Sequence, residues 1–221
     1  MKVSKKCFVC GSEADTFDHI PPRSMFPKNF QHKGVKVPAC KKCNNKTSKD
    51  DEYLRDVFSM TGFNKDAHKV FIEKVRPSYT RLYSRLQKVT KHQRILDSMG
   101  KIDIKSPNGI FIKQAMGMKM DSKRVNRILA KVVKGLHFNR FKKSIPDDYS
   151  IKIYFQPVDI GKDLIDEARR KKALSAEKFG NTFSYMHLTV KEDDFVGVWW
   201  LSFYQTHGVI IIVDSPEKLF E

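Results

Sequence analysis

The sequence has no long apolar run, no internal repeat and few acidic side chains. No stretch approaches the roughly 20 apolar residues that a transmembrane helix requires. No apolar segment follows the lysines near the start, so we expect neither a membrane contact nor a secretory signal, and we expect a cytoplasmic protein. The 221 residues are 40% hydrophobic and 11% aromatic, which excludes a disordered chain.

Positive charge is in large excess. The chain carries 42 lysines and arginines against 25 aspartates and glutamates, a formal net charge of +17. Such an excess favours a polyanionic partner, most often a nucleic acid. Lysines scattered over the surface of a basic protein would give the same total, so charge alone does not identify the partner.

Cysteine is confined to the first fifth of the chain, where it forms two Cys-x-x-Cys pairs. They are Cys7 with Cys10 and Cys40 with Cys43. Two-residue spacing lets a tight turn direct both thiolates at one ion, and two pairs complete the tetrahedral four-cysteine set of a structural Zn²⁺. Two disulfides are the alternative, although a secreted disulfide framework usually spreads its cysteines more widely. We therefore predict a zinc site.

The segment between the cysteine pairs has a strand pattern of its own. Residues 16–20 alternate polar and apolar side chains, Pro21-Pro22 ends that pattern, and a second strand is predicted through residues 35–37. A helix follows Cys43, with Asp50, Asp51 and Glu52 near its start. The predicted order is thus strand, loop, strand, helix.

The combination of FDHIPPRS with VPACKKCNNKTSKDDEYL resembles the HNH nucleases, whose catalytic element is a ββα-metal fold. The resemblance covers roughly residues 7–56. It implies a four-cysteine zinc scaffold, a separate catalytic divalent ion, and hydrolysis of phosphodiester bonds. DNA is the expected substrate, and RNA is the alternative. Members with an added domain are often bacterial or phage enzymes of restriction, defence or mobility.

The resemblance also implies roles for single residues. His19 matches the general base that activates water, Asp18 matches a ligand of the catalytic ion, and Asn44, with Asn45 as the neighbouring alternative, matches the second ligand. Oxygen ligands of this kind favour Mg²⁺ or Mn²⁺. The alternatives are a polar loop histidine for His19 and a helix N-cap for Asn44.

One position of the family pattern is missing. The middle asparagine, which orients the histidine through the loop backbone, has no counterpart at residues 32–35, where the sequence is HKGV. Either Asn29 serves from a shifted loop, or another group takes its place, or activity is reduced.

The fold class predicted for the whole chain is α+β. A zinc-stapled ββα-metal (HNH) module in residues 1–58 is followed by a mixed helical and antiparallel-sheet domain in residues 59–221. The predicted helices lie within 65–96, broken or kinked at Pro77, and at 122–138 and 163–174; a hairpin is predicted at 101–113 and strands at 149–157, 183–190, 197–204 and 208–214.

Nucleic-acid contacts are assigned to five basic residues, with a solvated surface as the alternative: Arg23, Lys46, Lys123, Arg124 and Arg127. Lys131 and Lys134 also lie largely off the apolar face of the 122–138 helix. Trp199-Trp200 and Phe203-Tyr204 are interpreted as core or interface aromatics rather than as a base-stacking platform. Two other functions are carried forward: a zinc-stabilised nucleic-acid-binding protein without catalysis, and an assembly subunit. A homodimer or a protein partner through the second domain is left open.

Overall fold

The computed structural model of the chain describes residues 6–31, 34–80, 97–106, 108–156, 175–190 and 192–216. These residues form an α+β protein, as the sequence predicts. The strands are β1 (Thr16–Ile20), β2 (Val35–Ala39), β3 (Met99–Lys105), β4 (Phe111–Met118), β5 (Ser150–Gln156), β6 (Ser175–Phe179), β7 (Phe183–Thr189), β8 (Gly197–Phe203) and β9 (His207–Asp214). The helices are α1 (Lys41–Lys46), α2 (Ser48–Met60), α3 (Lys65–Val70), α4 (Arg76–Thr80) and α5 (Ser122–Phe141).

The first two strands and the helices after them have the predicted order. β1 pairs antiparallel with β2, with His19 opposite Lys36. The loop between them contains a short 3-10 helix, Arg23–Met25. Gly34, at the end of this loop, has φ of +82°, and a Cβ there would lie 2.2 Å from the carbonyl oxygen of Ile20. Glycine is therefore required where the loop returns to β1.

Five strands form an antiparallel sheet in the order β5-β9-β8-β7-β6. Alternation along β8 buries Trp199, Leu201 and Phe203 on one face. Tyr204 is also fully buried, whereas Trp200 on the opposite face is half-buried. The assignment of Trp199, Phe203 and Tyr204 to the core is confirmed. The helix predicted at 163–174 lies outside the described residues.

Helix α5 begins at the N-cap Asp121, whose carboxylate accepts the backbone N–H of Arg124 at 3.2 Å, and Lys142 ends it in the left-handed conformation with φ of 56°. Its whole predicted apolar stripe is buried: Val125, Ile128, Leu129, Val132, Val133 and Leu136. At Gly135 the helix lies directly against Ile20 of β1. Because α5 packs against β1, β2, α2 and β5, it joins the β1–β2 hairpin to the large sheet.

The packing is continuous across residue 58. That position lies inside α2, and one buried cluster contains Cys7 and Ile20 from the first segment together with Trp199 and Ile211 from the large sheet. The division into two domains at this residue stays a prediction.

Helical residues continue through the predicted break at Pro77. α3 passes into a π-helical turn, Phe71–Val75, and then into α4, which contains Pro77. Proline removes one backbone donor and crowds the carbonyl four residues earlier, and a wider turn just before it relieves that crowding. The apolar positions predicted beyond residue 80, up to residue 96, lie outside the described residues.

The predicted hairpin is present as β3 and β4, with Gly109 at φ of +81° in the turn. Six of its large apolar side chains are exposed: Met99, Ile102, Ile110, Phe111, Ile112 and Met116. Within the residues described, no helix is both long enough and apolar enough to cross a membrane.

Candidate metal centre and active site

The four cysteines meet at one point. Their Sγ atoms all lie within 4.8 Å of one another, and all four are free thiols rather than disulfides. The first turn of α1 brings the second pair together, since the backbone N–H of Cys43 donates to Cys40 Sγ at 3.4 Å. Cys10 Sγ lies 3.8 Å from Cys40 Sγ, far beyond the roughly 2.05 Å of a disulfide. The cluster can therefore hold a metal ion such as zinc.

The local environments of these thiols differ. Hydrogen bonding with Ser12 lowers the pKa of Cys10 to about 6, whereas burial raises the pKa of Cys43. A bound divalent ion would supply the positive charge that thiolates require in such a site, and it would displace the remaining protons. Among the described residues this is the one group of three or more His, Cys, Asp or Glu side chains placed to hold a metal.

Asp18 and His19 are consecutive residues of β1, so their side chains lie on opposite faces of the hairpin. Asp18 is buried, with 7% of its surface exposed, and His19 is half-buried. One Asp18 oxygen, Oδ1, accepts the backbone N–H of His19 at 2.8 Å. The Asp18 carboxylate therefore supports the backbone of His19 through Oδ1, and its second oxygen, Oδ2, contacts a different residue.

Asn44 lies within α1 and connects this helix to β1. Its Nδ2 donates to the carbonyl oxygen of Phe17 at 3.2 Å, next to Asp18 in the chain. The alternative that Asn44 is the helix N-cap is wrong, because Cys40 occupies that position. Asn45 is exposed on the same helix.

The second oxygen of Asp18 contacts Lys131 of α5. Lys131 Nζ lies 2.8 Å from Asp18 Oδ2, 2.8 Å from Thr47 Oγ1 and 3.2 Å from Asp51 Oδ2. Only 6% of the Lys131 side chain is exposed, so the expectation of a solvated or phosphate-contacting lysine is wrong here. Burial raises the pKa of Asp51 to about 6, and the Lys131 ammonium acts in the opposite direction.

Sequence reasoning missed Lys131, although one signal was present. The residue lies three positions after Ile128 and one before Val132, and it therefore borders the apolar stripe of α5. The ammonium of a lysine at this position needs either solvent or anionic side chains around it. β1 and α2 supply two carboxylates, those of Asp18 and Asp51.

The expected catalytic ion does not fit the side chains as they are arranged. Mg²⁺ binds oxygen at about 2.1 Å and demands nearly octahedral geometry. An ion at Asp18 would stand beside the Lys131 ammonium, which already occupies Oδ2, and the two positive charges would repel each other. The four-cysteine cluster fits a metal such as zinc, whereas a divalent site made of Asp18 with Asn44 or Asn45 stays a prediction.

The five basic residues assigned to nucleic acid separate into two groups. Arg124 Nε contacts Asp50 Oδ1 at 2.7 Å and its guanidinium lies 4.2 Å from the centre of the Tyr53 ring, while Arg127 contacts the other oxygen of Asp50. Both arginines thus bind α5 to α2, although 54% of the Arg127 side chain remains exposed. The other three residues of the set are exposed: Arg23, Lys46 and Lys123.

The loop after β1 is held from the π-helical turn and from the large sheet. Lys74 Nζ donates to the carbonyl of Ser24 at 3.2 Å and also to that of Phe26. Tyr204 Oη donates to the carbonyl of Met25 at 2.6 Å. The sequence offered no signal for these contacts, because each joins residues far apart in the chain. Asn29 is exposed in this loop. Of residues 32–35, where the resemblance would put the middle asparagine, residues 32 and 33 lie outside the described residues.

Comparisons with protein-family models, with curated proteins and with solved structures gave no match. The class that the fold and the site define is therefore an α+β protein with a four-cysteine cluster beside a strand-loop-strand-helix element. The HNH family remains the expectation raised by the residues themselves.

Proposed function

We propose that this protein is a nuclease of the HNH type that hydrolyses phosphodiester bonds of DNA, with His19 as the general base. The observation that supports this most directly is the meeting of three parts at β1. The cysteine cluster fixes the start of α1, Asn44 of that helix donates to β1 at Phe17, and His19 follows two residues later. The contact between Asn44 and Phe17 thus joins α1 to the strand that carries Asp18 and His19.

The chemistry assigned to His19 is proton transfer. An imidazole ordinarily titrates near neutrality and accepts a proton from water at physiological pH. The water oxygen then forms a bond to phosphorus while the bond from phosphorus to the 3′ oxygen breaks, and that oxygen leaves with the electron pair. Its negative charge must be met by a cation or a proton donor at the site.

The charge of the chain supports a polyanionic substrate. The net charge is +17, and the exposed basic residues assigned to phosphate contact include Lys46 on α1 and Lys123 and Arg127 on α5. Lys46 lies on α1 together with Asn44, so among these three basic residues it is the closest in the chain to the proposed site. RNA as the substrate stays open, since phosphate contacts do not distinguish the two.

A second candidate is a zinc-stabilised nucleic-acid-binding protein without catalysis. The contact between Lys131 and Asp18 favours it, because it neutralises the carboxylate to which the motif assigns the catalytic ion. The two candidates share the zinc cluster and the basic surface, and they differ in whether phosphodiester bonds are broken.

Nicking of supercoiled plasmid distinguishes the candidates. The zinc-loaded protein is incubated with plasmid after removal of loosely bound metal, and again with added Mg²⁺ or Mn²⁺. We expect the wild-type protein to nick the plasmid in at least one of these metal conditions. We expect His19→Ala to reduce the nicking rate about 10²-fold or more, the usual contribution of a general base. Lys36→Ala is the matched control, because Lys36 is exposed and pairs with His19 across the hairpin.

Two results count against the proposal. If the wild-type protein binds DNA without cutting it under every metal condition, the binding-only candidate stands. If His19→Ala and Lys36→Ala nick at the wild-type rate, His19 is not the base.

A further inference from the structure

The environment of Lys131 has the composition of a hard-cation site. Oxygen atoms from three segments surround its ammonium: Asp18 Oδ2 on β1, Thr47 Oγ1 at the junction of α1 and α2, and both carboxylate oxygens of Asp51 on α2. The distances are 2.8, 2.8, 3.3 and 3.2 Å, in the range of hydrogen bonds to an ammonium rather than of metal coordination. Two carboxylates and one hydroxyl are donors that Mg²⁺ or Mn²⁺ would also accept.

The ammonium is fixed in this position by its burial. Only 6% of the Lys131 side chain is exposed, and the side chains of Asp18 and Asp51 are 9% and 15% exposed. A buried lysine without anions nearby would be costly, and buried carboxylates without a cation equally so. Removal of Lys131 would therefore take the shared cation from both carboxylates, whereas removal of either carboxylate leaves Lys131 with the other.

We propose that Lys131 is the resident cation at Asp18, and that its ammonium excludes a divalent ion from this carboxylate. The chain itself supplies the positive charge that the resemblance assigns to Mg²⁺ or Mn²⁺. The inference rests on the role assigned to His19 in the proposed function, but metal binding rather than nicking measures it.

Lys131 is in this view a positioning residue for His19. Its ammonium holds Asp18 through Oδ2, and Asp18 holds the backbone N–H of His19 through Oδ1. The two contacts form a continuous path from α5 to the histidine. They give the histidine the backbone support that the family obtains from its middle asparagine.

The experiment measures Mn²⁺ binding by electron paramagnetic resonance on the zinc-loaded full chain. Wild-type protein, Asp18→Asn and Lys131→Met are compared, with Lys134→Met as the matched control. Lys134 lies one turn further along α5 and contacts only the exposed Asp147, at 2.9 Å, among the ion pairs of the described residues. Its loss should leave Mn²⁺ binding unchanged.

We expect wild-type protein and Asp18→Asn to bind Mn²⁺ equally weakly. Lys131→Met, which keeps the length of the side chain without its charge, should bind Mn²⁺ at least tenfold more tightly, and Asp18→Asn added to it should abolish the gain. If nicking occurs, Lys131→Met should lower kcat with little change in KM. Lys131→Arg, which keeps the positive charge, should retain part of the kcat that Lys131→Met loses.

The proposal is overturned if wild-type protein binds a Mn²⁺ ion that Asp18→Asn removes, or if folded Lys131→Met gains no such ion. Should Lys131→Met fail to fold, the comparison of wild-type protein with Asp18→Asn still decides, because equal binding supports exclusion and a difference refutes it. A protein that never nicks DNA would defeat the proposed function while leaving this result intact.

Discussion

The contact between Gly135 and Ile20 gives the sharpest test of how α5 is joined to the β1–β2 hairpin. Glycine in the middle of a helix costs about 1 kcal/mol relative to alanine, so propensity alone predicts that Gly135→Ala stabilises the protein. The structure predicts the opposite. A methyl group at residue 135 would stand 2.5 Å from Cγ1 and 2.7 Å from Cδ1 of Ile20, a side chain that is fully buried.

The magnitude follows from the two opposing effects. Overpacking a buried site costs about 1–3 kcal/mol, and the gain in helix propensity offsets about 1 kcal/mol of it. We expect Gly135→Ala to lower the free energy of unfolding by about 1 kcal/mol. Ile20→Ala removes both atoms that the methyl group meets, although it lowers stability by itself by about 2–5 kcal/mol. In that background Gly135→Ala should stabilise by about 1 kcal/mol.

The assay is urea unfolding of the four proteins of this double-mutant cycle, followed by tryptophan fluorescence, which comes from the buried Trp199 and its neighbour Trp200. The expected coupling free energy between the two positions is about 2 kcal/mol, well above the error for distant sites. Equal stabilisation by Gly135→Ala in both backgrounds would mean that α5 does not pack on β1 at this point. The positions of Asp18 and Lys131 relative to each other would then be wrong as well.

Three further outcomes are expected. Cys40→Ser should lower the zinc content from about one ion per chain and destabilise the fold, as a metal-release assay with a chromogenic chelator would show; zinc retained at wild-type affinity would contradict the cluster. Burial lowers the pKa of His187 to about 4, so the unfolded chain, with an ordinary histidine, binds protons that the folded chain does not. Stability is therefore lost as the pH falls below the unfolded value, by about 1 kcal/mol between pH 7.5 and 5.5 for this group, and His187→Phe should remove that part of the loss in urea titrations at the two pH values; identical losses in both proteins would refute it. Arg127→Ala leaves Asp50 with its Arg124 partner and should change stability by less than about 1 kcal/mol, while it weakens DNA binding and reduces the salt dependence by about one phosphate contact; an unchanged salt slope would remove Arg127 from the interface.

Local patterns in the sequence predicted the elements whose burial follows a simple period. The apolar residues 197–204 predicted a strand with core or interface aromatics, of which Trp199 and Phe203 lie on the buried face of β8, and the stripe from Val125 to Leu136 placed α5 against the core. These predictions succeed because the period alone decides which side chains avoid water. The convergence of the four cysteines was predictable for a related reason, since the spacing within each pair determines the turn.

The environment of the candidate site was not predictable from local patterns. Asp18 is a short polar side chain in a strand, and nothing near it in the sequence shows that Lys131 will neutralise it. The same holds for Lys74, which supports the loop between β1 and β2 from the π-helical turn. Both contacts depend on tertiary packing between distant segments, and a periodic pattern carries no information about the partner across such a distance.

The path from α5 to β1 also has a consequence for synthesis of the chain. Thr47 and Lys131, which meet at the same ammonium, are separated by 84 residues. A ribosome therefore completes the cysteine pairs, β1, β2 and α2 well before α5 emerges. Until then Asp18 and Asp51 lack the Lys131 ammonium, and Ile20 is not yet covered by α5. A nascent chain can therefore bring its four cysteines together early, whereas the contacts from Lys131 through Asp18 to the backbone of His19 form only after α5 has emerged.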